Sequence, residues 1–321
     1  MPSPIKSRVA LALGSLLLTV GMLEISGRVF VSEPVERHDG FAHDDQLGWI
    51  LPAGQTMSWR GQSAAINRIG LRSPDLKNSA TIKILTIGDS SVFGDGVQDS
   101  ETLAAQISGL LGSAVDVQNG GVPGYTCWQS RLWVERIRTQ FQPDILISYN
   151  QHSDYRRASG HDRVIAATQL GPLAKLGIGR LISYASLRWR IRQGGSNLTV
   201  DEYGDCLRGL ADDQKSAGGS MVFVVPITDV DFESSPFFGQ PEPGEPGTRL
   251  VDYRAVMGDV AAEQDAVLVN GMDAIRAARL TGNQALLDTV HPTARGHSAL
   301  AKGIVGAITD AGLLGRSPEK R

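Results

Sequence analysis

A serine hydroxyl becomes a nucleophile only when a base takes its proton. Serine chemistry therefore asks for an imidazole within hydrogen-bond reach and a carboxylate to orient it. Residues 83–97, KILTIGDSSVFGDGV, set an apolar run directly against a turn that holds Ser90 and Ser91, with Gly88 before them and Gly94 and Gly96 after. A turn of that kind lifts a hydroxyl from the edge of a sheet, and its glycines permit close backbone approach. Ser90 takes the exposed place in this reading. Ser91 is its rival and should point another way. Of six histidines, His291 has Asp288 three residues before it. A bent loop can lay that carboxylate on one ring nitrogen and leave the other for the serine. His297 has no such partner nearby and falls within a helical pattern. An acyl-transfer site also needs donors for the oxyanion. Residues 119–126, NGGVPGYT, offer a backbone N–H at Gly121, although a glycine turn is by itself an ordinary feature.

The elements that must position these groups read as alternating strands and helices. IKILTIG is a continuous apolar run, as expected of a strand buried on both faces. AVDVQNGG, DILISY (144–149), MVFVVPIT near 221 and AVLVNG near 266 are four further strand candidates. TLAAQISGLLG has helical spacing with a stop at Gly112, RLWVERIRTQF reads as a second helix, and the closing PTARGHSALAKGIVGAITDAGLL as an amphipathic one. Such alternation implies a parallel sheet with helices on both faces and a site at the carboxyl ends of its strands. The three polar clusters named above fall at such ends. So does a fourth, after the third strand.

With 321 residues, 41% of them hydrophobic, the chain can bury a sizeable core. A formal charge of −3 gives no field to steer it toward nucleic acid, so no nucleic-acid partner is expected. No histidine and carboxylate cluster has metal-ligand spacing, and neither metal nor cofactor is expected. Cys127 and Cys206 lie far apart without a motif and read as two independent thiols. Near the N-terminus, Lys6 and Arg8 precede a charge-free run, 9–23. Small residues of a cleavage site are poorly represented after it. Residues 1–28 are therefore read as a basic end plus an uncleaved signal anchor, which places a single-pass protein in a bacterial inner membrane with its bulk exported. Residues 29–80 read as a linker and irregular cap, 81–312 as the main domain and 313–321 as a polar tail. The basic positions Arg180, Arg188, Arg190 and Arg192 suit a solvated helix face or an anionic surface, and 239–247 form a proline-glycine loop.

The three blocks GDSSVFGDGV, NGGVPGYT and DTVHPTARGH, in that order, resemble the blocks of the SGNH/GDSL hydrolase family. DDQLGWILPAG and INRIGLRSPDL upstream resemble segments of its membrane-anchored bacterial members, so the resemblance runs over about 40–310. It implies a three-layer α/β/α sandwich with a flavodoxin-like, five-stranded parallel sheet. It also implies Ser90 as nucleophile, His291 as base, Asp288 as orienting acid, and the N–H groups of Ser90 and Gly121 as oxyanion donors. One block departs. Where the family carries an oxyanion asparagine, SYNQHSDY places Ser153, a shorter donor, for which Asn150, His152 or Gln151 could compensate, Asn150 only by a register shift.

The expected activity is that of a serine esterase or deacylase acting on ester-linked acyl groups, acetyl above all, of cell-envelope polysaccharide. The same triad would serve an O-acyltransferase, and a degenerate member would be a non-catalytic carbohydrate-binding protein. Oligomeric state is not legible.

Overall fold

In a computed structural model, the structure describes residues 4–30, 40–44, 46–77, 79–156, 176–193, 196–235 and 250–315. The proline-glycine loop of 239–247 lies outside them. The helices used below are α1 (Pro4–Phe30), α2 (Ser90–Phe93), α3 (Leu103–Leu111), α4 (Cys127–Ile137), α5 (His152–Tyr155), α6 (Gly177–Gln193), α7 (Val200–Ser216), α8 (Leu250–Glu263), α9 (Gly271–Ala277) and α10 (Ala294–Asp310). The chain forms two compact units.

One unit contains α1 and α6. Leu11–Val29 of α1 is long and apolar enough to cross a membrane, and its leucines are exposed, Leu11 by 78% and Leu17 by 72%. A membrane anchor and a signal sequence share this character. The two helices touch at Gly27 and Gly177, where a Cβ on either would run into the other's backbone, and Glu24 accepts the N–H of Ile178 at 3.1 Å.

The other unit is built on a five-stranded sheet, β5 (Ile82–Gly88), β6 (Val115–Asn119), β7 (Ile145–Tyr149), β8 (Ser220–Val225) and β9 (Val267–Asn270). All neighbours are parallel and the spatial order is β6-β5-β7-β8-β9. Counted from the first strand of the sheet this is 2-1-3-4-5, the flavodoxin-like order. The apolar runs are continuous because both faces are covered. Ile84, Ile147, Val222 and Val224 join α3 and α10 in one core, while Leu85, Ile87, Leu146 and Phe223 are buried on the other side, where α4, α7 and α8 pack. The result is the three-layer sandwich expected. α3 is capped by Thr102 and stopped at Gly112. α4 begins earlier than the pattern of 131–141 suggested, because Thr126 and Gln129 form a capping box ahead of Cys127.

Two sequence expectations are corrected here. The irregular cap of 29–80 contains two antiparallel hairpins, β1 (Ala42–Asp44) with β2 (Gly48–Ile50) and β3 (Thr56–Trp59) with β4 (Gln62–Ala65). Both hairpins belong to the same compact unit as the sheet. Strands of three or four residues show no readable period, and their order comes from tertiary anchors. The indole of Trp49 donates to Pro123 O at 2.9 Å, and Tyr125 Oη donates to Trp49 O at 2.6 Å. The second correction concerns the cysteines. Cys127 at the start of α4 and Cys206 in α7 form a disulfide, with Cα atoms 6.2 Å apart and a sequence separation of 79. Packing of α4 on α7 brings them together, which no sequence spacing announces. Closing a loop of that length restricts the unfolded chain by about 4 kcal/mol.

The strongest anchor of the cap is Arg72, 2% exposed. Its Nε donates to Asp99 at 2.8 Å, and its Nη atoms donate to the carbonyls of Phe93 (3.0 Å), Gly94 (2.7 Å) and Val97 (2.8 Å). The guanidinium also lies over the ring of Phe93. Arg72→Ala strands those carbonyls and removes a buried stem, a loss on the order of 3 kcal/mol or more. A thermal melt should therefore show a midpoint lowered by roughly 5–10 °C. A shift under about 2 °C would contradict this role.

Candidate active site

β5 runs out at Gly88, whose φ of +155° and close approach to Tyr149 O leave no room for a side chain. Asp89 follows and caps α2 by accepting the N–H of Ser91 at 2.9 Å. Ser90 is thereby the first residue of a one-turn helix closed by Gly94 in the left-handed conformation, φ +91°. This turn stands at the carboxyl edge of the sheet, between β5 and β7. That is the switch point of the 2-1-3-4-5 order, where doubly wound folds place ligands.

The two serines of the turn are now distinguished. Ser90 Oγ lies 2.8 Å from His291 Nε2. Ser91 is buried and its hydroxyl donates to Val290 O at 3.2 Å, so it ties α2 to the loop that carries the histidine. That loop is folded on itself by Leu287 N–H to His291 O and by a bridge between Leu286 and Pro292. Asp288 Oδ1 accepts the N–H groups of Val290 and His291, at 3.0 and 2.9 Å, and its Oδ2 lies 2.6 Å from His291 Nδ1. With Nδ1 protonated toward Asp288, the Nε2 lone pair faces Ser90 Oγ.

The charges agree with that geometry. Burial works against ionising His291, but the bond to Asp288, the Asp288 charge, and the charges of Asp89 and Asp95 outweigh it and raise its pKa. Burial likewise opposes the Asp288 charge, yet the ring and two N–H donors hold its carboxyl well below the usual range. His297, buried in α10 with both nitrogens unpartnered among the described residues, is pushed down to about 3 by desolvation and stays neutral. It stands apart from the relay.

The expected oxyanion donors fare differently. The structure records no protein acceptor for Ser90 N–H among the described residues. Gly121 N–H is directed at Asn119 Oδ1, 3.0 Å away, and not at a vacant position. This residue is a glycine because a Cβ would strike the backbone of Val92 and Phe93. Ser153 gives both its N–H and its hydroxyl to Asp89 Oδ2, at 3.2 and 3.0 Å. Asn150 is fully buried, donating to Ser130 Oγ at 2.9 Å and accepting from Ser148 at 3.0 Å. Three of the four expected donors are thus engaged in holding the loops. Gln151, next to Asn150, is 1% exposed with neither amide atom partnered among the described residues, and it lines a narrow slot with Asp89, Ser91, His152, Ile227 and Val290.

Two further buried groups escaped the sequence reading. Asp95, five residues beyond Ser90 in the same turn, lies 3.6 Å from His291 Nε2. Its place in the FGDGV motif was the available signal. Asp154 in α5 accepts the N–H of Cys127 at 2.7 Å, but complete burial pushes its pKa up to about 8. The fold therefore holds this carboxyl protonated near neutrality, whereas an unfolded aspartate ionises near 4. Its contribution to stability is full below about pH 4 and is lost as pH rises toward 8. Asp154→Asn keeps the acceptor and cannot ionise. Melts at pH 5 and pH 9 should show a smaller alkaline drop for the variant than for the parent, and equal drops would exclude this account.

No family model and no curated protein matches the sequence. Solved structures do resemble it. An acetylxylan esterase of Geobacillus stearothermophilus is 19% identical, with 72% of this chain and 95% of that chain covered at a TM-score of 0.48. A GDSL-like lipase of Parabacteroides merdae is 19% identical over 75% and 100%, TM-score 0.49. LAE5, an alpha/beta hydrolase from the metagenome of Lake Arreo, is 16% identical over 72% and 96%, TM-score 0.48. Likeness at that level carries no argument about chemistry, which rests on the geometry above.

Proposed function

We propose that the chain is an SGNH/GDSL-type serine ester hydrolase that forms an acyl-enzyme on Ser90 and releases the acid to water. The observation that carries this reading is the relay from Ser90 Oγ through His291 to Asp288, 2.8 and 2.6 Å long, at the switch point of the sheet. Attack by Oγ on an ester carbonyl passes the hydroxyl proton to His291 Nε2, and Asp288 holds the resulting imidazolium. The proton then goes to the leaving alkoxide. Water repeats the sequence and frees Ser90.

For the oxyanion, Ser90 N–H remains the backbone donor in this reading. The unpartnered Gln151 amide supplies the donor that Gly121, Ser153 and Asn150 do not. The narrow slot that Gln151 lines with Ser91, His152 and Val290 favours a small acyl group. Acetyl esters of an envelope polysaccharide fit that size and the resemblance of the motifs.

The proposed location is a bacterial inner membrane, with α1 as anchor and the sheet-bearing unit outside the cytoplasm. Lys6 and Arg8 on the N-terminal side of the apolar run support that orientation, and the Cys127–Cys206 disulfide supports an oxidising compartment.

The test is to treat the full chain in detergent with an O-acetylated polysaccharide and with an activated acetyl ester. Free acetate, together with an acetyl adduct mapped to Ser90 by mass spectrometry, is expected. An acetylated acceptor sugar in place of acetate would make the enzyme a transferase. Absence of both products and of any adduct would leave only a binding role and overturn the proposal.

A further inference from the structure

The carboxylate of Asp95 faces His291 Nε2 at 3.6 Å, on the same nitrogen that receives Ser90 Oγ. It is 3% exposed, and neither of its oxygens accepts a hydrogen bond among the described residues. Its cationic neighbour besides the imidazole among the described residues is Arg60, whose Nη1 is 3.1 Å from Oδ2. An ionised carboxylate has about four acceptor positions, and burying it without donors is costly. A group so placed calls for an O–H donor from outside the protein.

The arrangement is held from both sides. Arg72 binds the carbonyls of Phe93, Gly94 and Val97, which flank Asp95 in the turn. Arg60 occupies the tip of the β3–β4 hairpin with φ +48°, a conformation that non-glycine residues seldom adopt. The cap thus delivers a cation to a carboxylate that the serine turn delivers to the base.

Two acceptors 3.6 Å apart can both lie within about 2.8 Å of one oxygen set between them. We propose that Asp95, backed by Arg60, positions the nucleophile that resolves the acyl-enzyme, and that it selects one bearing two hydrogens: water, or a vicinal diol of a sugar. The inference rests on the acyl-enzyme reading of Ser90. In the step, the nucleophile's oxygen forms a bond to the acyl carbon while one of its hydrogens passes as a proton to His291 Nε2. The carbonyl electron pair moves to the oxyanion. The second hydrogen stays on the nucleophile and is hydrogen-bonded to Asp95. On collapse the bond from the acyl carbon to Ser90 Oγ breaks, His291 returns its proton to Oγ, and the acid or the acylated diol leaves. A monohydric alcohol has one hydroxyl hydrogen, which His291 takes, and Asp95 is left unsatisfied.

The test uses the full chain in detergent with 4-nitrophenyl acetate. In Asp95→Ala the acylation burst should stay within about threefold of the parent while steady-state turnover falls about thirtyfold, so acyl-enzyme accumulates. With acceptors added at equal concentration, the parent should acetylate ethane-1,2-diol at least about fivefold faster than 2-methoxyethanol, and the variant should lose most of that preference. If Asp95→Ala does not fold, Arg60→Met, at an exposed position, should show the same selective slowing at smaller size. Equal loss in both steps, no loss in either, or an unchanged acceptor ratio would overturn the proposal. Failure of the underlying reading looks different: the parent itself then shows no burst and no acetyl on Ser90.

Discussion

Ser90→Ala should lower kcat for an acetyl ester by about 10⁴–10⁶-fold while leaving the fold intact. The size follows from how few groups can replace the lost hydroxyl. Ser91 is buried and donates to Val290 O, and Ser153 is committed to Asp89, so neither hydroxyl can reach a carbonyl held over α2. What persists in the variant is water attack helped by binding and by any remaining oxyanion donors, a residual of about 10³–10⁴ over the uncatalysed rate in comparable triads. Ser90 itself holds nothing together. Its hydroxyl is hydrogen-bonded to His291 Nε2, and the α2 turn is closed through backbone groups, by Gly94 N–H and Asp95 N–H to Ser90 O. Alanine keeps both of those bonds. Initial rates with an activated ester, measured beside a thermal melt, check the prediction. Turnover within tenfold of the parent would remove Ser90 from the chemistry. Ser91→Ala is the matched comparison, since it loosens the His291 loop without removing the nucleophile, and it should retain most of the activity.

The sheet was legible because each of its strands is an apolar run buried on both faces. The relay was legible because Asp288 and His291 share one short loop and Ser90 sits beside a glycine at a strand end. The parts that escaped depend on contacts between distant segments. Nothing local marks Arg72 as the clamp on the Ser90 turn, because its acceptors are backbone carbonyls more than 20 residues away. The disulfide joins helices on one layer of the sandwich, and a sequence separation of 79 carries no spacing signal. Gly121 shows the opposite error. Its position in a glycine-rich turn after β6 suggested a free N–H, but the side chain of Asn119, two residues before it, accepts that N–H. A backbone donor's direction is set by its immediate neighbours, and asparagine is one of the residues whose side chain captures it locally. Asn119 was visible in the same block and was the available warning.

Asp288→Asn should cost about 10⁴-fold in kcat and also move the acid limb of the pH profile, and the combination is what identifies the role. Asparagine preserves an acceptor for the N–H groups of Val290 and His291, so the loop has the means to keep its shape. What changes is the partner of Nδ1. An amide N–H facing that nitrogen favours the tautomer with the proton on Nε2, which cannot accept a proton from Ser90. The second effect concerns charge. His291 must be neutral to act as base, and in the parent Asp288 is the main group raising its pKa above the ordinary value of 6.5. The kcat/KM of the parent should therefore fall off on the acid side at a pH above 6.5. With the carboxylate gone, burial is opposed only by the weaker charges of Asp89 and Asp95, and the limb should move to lower pH even as the plateau collapses. Stability has the reverse sign. Asp288 has its carboxyl held below the usual range in the fold, so its contribution is present above about pH 4 and disappears as pH falls. The variant should lose stability near neutrality, and its gap to the parent should begin to narrow as pH falls below about 4. Profiles of kcat/KM from pH 5 to 9, with melts at pH 3 and 7, separate these effects. A loss of less than tenfold with an unmoved limb would mean that Asp288 only shapes the loop, and His291 would then owe its orientation to another group.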